Sequence, residues 1–163
     1  MSIQLDKLDQ TILELLLKDA RTPYLEIARM CGVSGATVHL RVQKLEKQGL
    51  VHGSRLLVDY KKLGLGVMAF LGIYLDQSDD FDEIFERLGQ VPEVVECHFT
   101  TGTYAMFVKV LCRDTNHLRD LLIEKIQNIP NVRRTETFIS LQETVNKEPG
   151  IEVLFGKESE ATK

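Results

Sequence analysis

The apolar positions of the first third of the chain fall into three short helical segments. Over residues 6–18, Leu8, Ile12, Leu15 and Leu16 recur at the spacing of one helix face. Asp6 or Asp9 stands where an acidic side chain complements a helix N-terminus. Arg21-Thr22-Pro23 interrupts the pattern. Thr22 suits an N-cap, Pro23 a first helical position, and Glu26 falls in the first turn. A second helix is therefore predicted to about Cys31, burying Leu25, Ile27 and Ala28. Gly32 ends it, Ser34 caps a third helix reaching Gln48, and Gly49 stops that one. Residues 50–58 read as a strand, the wing, with a break at Gly53-Ser54 and Arg55 in the middle.

Two short helices joined by a glycine-containing turn form a helix-turn-helix unit, whose second helix enters the major groove. On that helix Val38, Val42 and Leu45 share the inward stripe. Ala36, Thr37, Leu40, Gln43, Lys44 and Lys47 lie opposite or flank it. Lys44, Lys47 and Arg55 are candidates for phosphates, which position the protein without carrying sequence information. Thr37, Gln43 and His39 are candidates for base edges. Leu40 fits a thymine methyl, and equally a packing contact with the wing or a neighbouring subunit. Arg41 projects near the core edge, where an ion pair to Asp9 or Glu14 and a phosphate contact both fit. With Ser34 and Ala36 at the helix start, these residues form the set expected to meet double-stranded DNA. A trihelical cluster with a basic face also occurs in protein-interaction modules; the Gly32–Ser34 turn, the capping and the wing favour nucleic acid.

Beyond the wing the pattern repeats with an offset of 38. Leu88-Gly89-Gln90-Val91-Pro92-Glu93-Val94 parallels Ile126-Gln127-Asn128-Ile129-Pro130-Asn131-Val132, and residues 67–71 parallel 105–109. Each copy reads strand, helix, strand. Strands are predicted at about 66–76, 94–101, 105–112 and 133–141, with a hairpin at Gly102-Thr103. The helices carry Phe81, Ile84, Phe85 and Leu88 in one copy, and Leu118, Leu121, Leu122 and Ile126 in the other. Two such copies make a ferredoxin-like βαββαβ domain, an antiparallel sheet with both helices on one face. The fold class is α+β: an N-terminal winged helix-turn-helix and a C-terminal ferredoxin-like domain. The expected boundaries are 1–52, a wing and linker at 53–64, the sheet domain at 65–145, and a tail at 146–163. That tail holds a short strand at 151–155 and frays past Gly156. The first strand is apolar on both faces (Val67, Ala69, Leu71, Ile73 and Leu75; Met68, Phe70 and Tyr74), so a homodimer is expected to cover the helix-free face.

Charge sharpens this division. The net charge is −4 over 163 residues. Residues 1–62 hold ten Lys/Arg against seven Asp/Glu, a net of +3, and the remainder carries −7. One part suits polyanions and the other repels them. No run approaches the roughly 18–20 apolar residues of a membrane span. Residues 1–8 show no basic stretch followed by an apolar one, so no signal peptide is expected. Three widely spaced cysteines (Cys31, Cys97 and Cys112) suit a cytoplasmic location.

Catalytic chemistry is not indicated. The chain has no GxxxxGK[ST], GxGxxG or HExxH motif and no Cys/His metal cluster, so neither an enzyme nor a cofactor is expected. His39, His52, His98 and His117 are scattered, and His98 reads as structural. Cys97 and Cys112 fall on strands as small buried hydrophobes. Asp79-Asp80-Asp82-Glu83 starts a helix and complements its dipole.

Leu5-Asp6-Lys7-Leu8-Asp9-Gln10-Thr11-Ile12-Leu13, Asp19-Ala20-Arg21, Gly32-Val33-Ser34, Val38, Arg41-Val42, Leu45-Glu46 and Gly49-Leu50-Val51 together resemble the Lrp/AsnC (leucine-responsive, feast/famine) family of transcriptional regulators. The second half is similar to that family's effector-binding and oligomerisation domain. The resemblance covers roughly residues 3–145. It implies a DNA-binding regulator that dimerises through its sheets, often builds octamers from four dimers, and commonly senses amino acids. The family's hairpin typically reads Gly-x-Tyr-Asp, whereas this chain has Gly102, Thr103, Tyr104 and Ala105. The missing carboxylate is the natural partner of a ligand ammonium. The remaining effector candidates are that hairpin and the hydroxyls of Thr135, Thr137 and Ser140, with Glu136 as a different amine partner. A rival reading, a small-molecule-binding regulatory subunit resembling an ACT-type module, would dock the helical segment on a protein instead of DNA.

Overall fold

A computed structural model describes residues 4–76 and 81–155. Residues 1–3, Asp79 and Asp80 of the acidic run, and the frayed end expected past Gly156 lie outside the described residues. The chain divides into two units, residues 1–56 with the tail from 145, and residues 57–144.

In the first unit α1 spans Lys7–Lys18, α2 Tyr24–Cys31 and α3 Gly35–Lys47. Ile12, Ile27, Ala28, Val38 and Val42 are buried together, with Leu8, Leu15, Leu16 and Val33 packed around them. Leu25, expected in this core, is 59% exposed. It stands two positions before Ile27, so it turns away from the inner face that Ile27 and Ala28 occupy. Thr22 does not cap α2. Its hydroxyl donates to Asp19 O at 2.8 Å, and Pro23 takes the N-cap position with no side-chain bond. Between α2 and α3, Gly32 sits at φ +66. That left-handed turn lets Val33 N bond Ala28 O at 3.0 Å and ends the helix where the next must start.

The wing strand expected over residues 50–58 is not formed. Leu50 N and Val51 N both fold back onto Leu45 O and close the end of α3. Residues 51–59 have no regular structure. A strand needs a paired ladder, and this segment has none among the described residues. The division between the units, at residues 56 and 57, lies inside the stretch 53–64.

The second unit is a four-stranded antiparallel sheet in the order β2-β3-β1-β4, with β1 Val67–Leu75, β2 Val94–Phe99, β3 Met106–Cys112 and β4 Val132–Ile139. Helix α4 is Phe81–Gly89. Helix α5, Thr115–Asp120, continues as a π-helical turn over Leu121–Ile126. Ala69, Leu71 and Ile73 on β1, with Met106, Val108 and Val110 on β3, are buried against Ile84, Leu88, Leu118, Leu121 and Ile126 of the helices. The alternate residues line the helix-free face. There Phe70 stacks on Phe107 at 5.6 Å between ring centroids, and Phe107 lies 6.4 Å from Phe138.

The strand expected at 151–155 is instead helix α6, Ile151–Phe155. Val153 N and Leu154 N both bond Gly150 O and close a helical turn directly after Pro149-Gly150.

Candidate functional site

Helix α3 is fixed by its own first turn. Ser34, extended at φ −82 and ψ 152, accepts the Thr37 N–H at 3.1 Å. Its hydroxyl also lies 2.8 Å from that of Thr37. Thr37 is thus half-buried in the cap, with its hydroxyl shared. With Val38, Val42 and Leu45 buried beneath, the helical period puts Ala36, Leu40, Gln43 and Lys47 on the outermost stripe. Lys44 flanks it on one side. His39 flanks the other, its ring centroid 6.0 Å from that of Tyr24. Leu40 is 64% exposed, and Lys44 and Lys47 project into solvent. Arg55 is exposed on the irregular segment after α3.

Arg41 alone of the basic candidates on α3 is turned inward. Its Nη1 donates to Asp6 and, at 3.1 Å, to Asp9 of α1. The helix 1 ion pair is therefore the one that forms. Asp6, missed as its partner, was visible in the sequence as the α1 cap, but nothing there fixed which way its second oxygen pointed.

In the sheet unit, residues 100–105 form the β2–β3 connection, anchored by Ala105 N to Ile73 O at 2.9 Å and Thr100 N to Ala105 O at 3.0 Å. Gly102 and Thr103 are exposed, and Tyr104 and Ala105 are half-buried. The Tyr104 ring crosses Gly72, and its hydroxyl donates to Glu136 Oε2 at 2.7 Å. Tyr74 donates to Glu136 Oε1 at 3.1 Å, and Arg134 pairs with the same oxygen while lying 4.8 Å above the Tyr74 ring. The bond to Glu136, with desolvation and the carboxylate's charge, pushes the Tyr104 phenol up to about 12. The hydrogen bonds from Tyr104 and Tyr74 in turn lower the Glu136 carboxyl from its ordinary value.

The expected effector residues do not all converge. Thr135 and Thr137 pair with Ile73 and Leu71 on β1, so they share the helix-covered face. Thr135 Oγ1 accepts from Gln127 Nε2 at 3.2 Å on that side. Glu136 and Phe138 share the opposite face with Tyr104. Grouping Thr135 and Thr137 with Tyr104 is therefore corrected. Ser140, half-buried and just past β4, has its N–H on Met68 O at 2.9 Å, at the other end of β1 from Ile73 where the connection is anchored, so grouping it with Tyr104 is corrected as well. Tyr74, Arg134 and Gly72 were missed, although the two-residue period of a strand already put Arg134 on the same side as Glu136.

Elsewhere, Glu93 accepts from Lys125 Nζ at 2.7 and 2.9 Å and lies 3.0 Å from His117 Nε2. Glu83 pairs with Arg87 at 2.7 Å. Among the described residues no cluster of His, Cys, Asp and Glu is placed to hold a metal ion, and no helix is long and apolar enough to cross a membrane.

Two family profiles match: the AsnC-type helix-turn-helix domain over residues 5–46 and the Lrp/AsnC ligand binding domain over residues 68–149. The chain belongs to the Lrp/AsnC family of transcriptional regulators. It is 43% identical over 141 residues to Regulatory protein AsnC of Haemophilus influenzae, covering 86% of this chain and 94% of that one. It is 32% identical over 142 residues to the HTH-type transcriptional regulator FL11 of Pyrococcus horikoshii, covering 87% and 93%. The solved structure of E. coli AsnC superposes with a TM-score of 0.85 at 41% identity, over 90% of this chain and 99% of that one. This Lrp/AsnC chain thus carries a DNA-binding helix-turn-helix and a ligand-binding domain, and its relatives are regulatory proteins.

Proposed function

We propose that this Lrp/AsnC chain reads pseudo-palindromic duplex DNA as a sheet-paired homodimer, four of which assemble into an octamer in the cytoplasm. The observation that carries the DNA reading is the outer stripe of α3, where Ala36, Leu40, Gln43 and Lys47 stand opposite the buried Val38, Val42 and Leu45. In this reading Lys44, Lys47 and Arg55 meet phosphates, while Gln43, His39 and Leu40 meet base edges and a thymine methyl. Thr37 and Ser34 hold the helix N-terminus, and the backbone at Ala36 closes on the groove wall. A dimer presents two such helices about one helical turn, or a multiple of it, apart. Pairing is supported by the helix-free face of the sheet, where the rings of Phe70, Phe107 and Phe138 stand together and Phe138 is 45% exposed.

The effector in this reading is an amino acid or another small polar molecule, held at the connection Gly102, Thr103, Tyr104 and Ala105. Alanine at position 105 leaves the ligand's ammonium to backbone carbonyls or to Glu136. The deciding experiment is fluorescence anisotropy of the full chain with its own gene's upstream duplex and a scrambled duplex, repeated with each of the twenty amino acids. Tighter binding to the upstream duplex supports the DNA reading, and equal binding to both overturns its sequence specificity. A shift in affinity with one amino acid supports the effector reading; no response to any of them removes amino acids from it.

A further inference from the structure

We infer that Arg41 sets the angle at which α3 is presented to DNA, acting through the cap of α1 and not by touching the nucleic acid. The inference rests on α3 being the groove helix. Asp6 and Asp9 cap α1 reciprocally: Asp6 Oδ1 accepts the Asp9 N–H at 2.8 Å, and Asp9 Oδ2 accepts the Asp6 N–H at 3.4 Å. Each carboxylate keeps one oxygen, and both of those oxygens take Arg41 Nη1, Asp9 Oδ1 at 3.1 Å. One guanidinium nitrogen therefore closes a ring from the first turn of α1 to the middle of α3.

Three observations separate this from a phosphate contact. Asp9 is 1% exposed and is the buried charged side chain among the described residues, so its charge needs Arg41. Two carboxylates around one guanidinium leave a local charge of −1, which repels a phosphate. On the helix, Arg41 falls between the inward stripe and the flank, away from Ala36, Leu40, Gln43 and Lys47. Helix α3 packs more extensively on α2 than on α1. The ring is thus a polar tie that holds α1 against α3, and Arg41 is a positioning residue.

The test compares binding of the full chain to two duplexes across a salt series. One duplex is enriched by the wild-type protein from a random pool; the other has random sequence. The variants are Arg41→Gln, which removes the charge, and Asp6→Ser, which keeps a capping side chain but removes an ion-pair partner. Both are assayed at a temperature where circular dichroism shows them folded. Each should lose about tenfold in preference for the enriched duplex. The salt slope on the random duplex should stay at the wild-type value. A slope lowered by about one in Arg41→Gln would mark a phosphate contact and overturn the inference. So would tighter random binding by Asp6→Ser, where Arg41 is partly released, or an unchanged preference in the folded Asp6→Ser variant. A wild-type chain that enriches no sequence overturns the DNA reading, and this inference with it.

Discussion

The ring of Tyr104 rests on Gly72 so closely that a β-carbon at that glycine would meet the ring's Cδ1 at 2.5 Å and its Cε1 at 2.6 Å. The missing side chain on β1 is what lets a residue of the β2–β3 connection reach Glu136 on β4. Gly72→Ala should displace the ring and break that bond. We expect a loss of roughly 1–3 kcal/mol, as for overpacking of a buried site. The Tyr104 phenol, held at about 12, should fall back toward its ordinary 10. Ultraviolet titration of phenolate reads the second effect directly, and an unchanged titration curve would show that the ring had not moved.

Lys44 and Gln43 should fail differently. Lys44→Ala is expected to weaken binding to every duplex and reduce the salt slope by about one. Gln43→Ala should leave the slope alone and cost about 1–3 kcal/mol of discrimination at one base position. Anisotropy titrations against a panel of single-base variants separate the two, and a uniform weakening by Gln43→Ala would reassign it to the backbone.

Acid stability should depend on Glu93. Burial works against its charge, but the Lys125 ammonium, its own backbone N–H and His117 outweigh that and hold the carboxyl at about 2, below the ordinary 4.5. His117 Nδ1 accepts the Arg113 N–H at 3.2 Å, which leaves Nε2 to donate to Glu93. A folded-state pKa below the unfolded one stabilises the sheet unit fully above pH 4.5. That contribution, on the order of 2–3 kcal/mol, disappears as pH falls from about 4.5 to about 2. Denaturant midpoints measured through that window should drop for the wild type and stay flatter in Glu93→Gln; parallel curves would rule the assignment out.

Ser34→Ala removes the hydroxyl that accepts the Thr37 N–H and should cost about 1 kcal/mol. Because Thr37 loses its cap partner as well, DNA affinity should fall by more than stability alone explains. Thermal melts beside binding curves at a temperature well below the melt test this. A variant that loses stability with no change in affinity would make the cap purely structural.

Phe138→Asp puts a charge on the helix-free face and should yield a monomer by sedimentation velocity at micromolar concentration, where sheet pairing predicts a wild-type dimer or larger. A wild-type monomer under the same conditions would refute sheet pairing.

The sequence was most legible where a period and a punctuation residue agreed. Val38, Val42 and Leu45 between Ser34 and Gly49 define α3 almost residue by residue, and the 38-residue repeat yields four strands and the sheet helices. Legibility failed where a residue had two uses for its hydrogen bonds. Leu50 and Val51 look like strand residues, but their N–H groups cap α3. Thr22 looks like a cap but bonds backward to Asp19. In the effector region the hydroxyl-bearing residues share a chemistry but not a face. Parity sends Thr135 and Thr137 to the face opposite Tyr104 and Glu136. The aromatic contact over Gly72 could not be read at all, since a glycine in a strand announces a close approach without naming what approaches.

The irregular stretch at residues 51–59 also has a bounded reach. Its nine residues span at most about 30 Å when fully extended, close to the roughly 34 Å of one DNA turn. In the proposed homodimer, a connection of that reach would let the second helix-turn-helix search for its half-site at an effective concentration of about millimolar. Avidity of this kind would tolerate some variation in half-site spacing and would vanish if residues 51–59 were shortened, without any change in the surface that touches DNA.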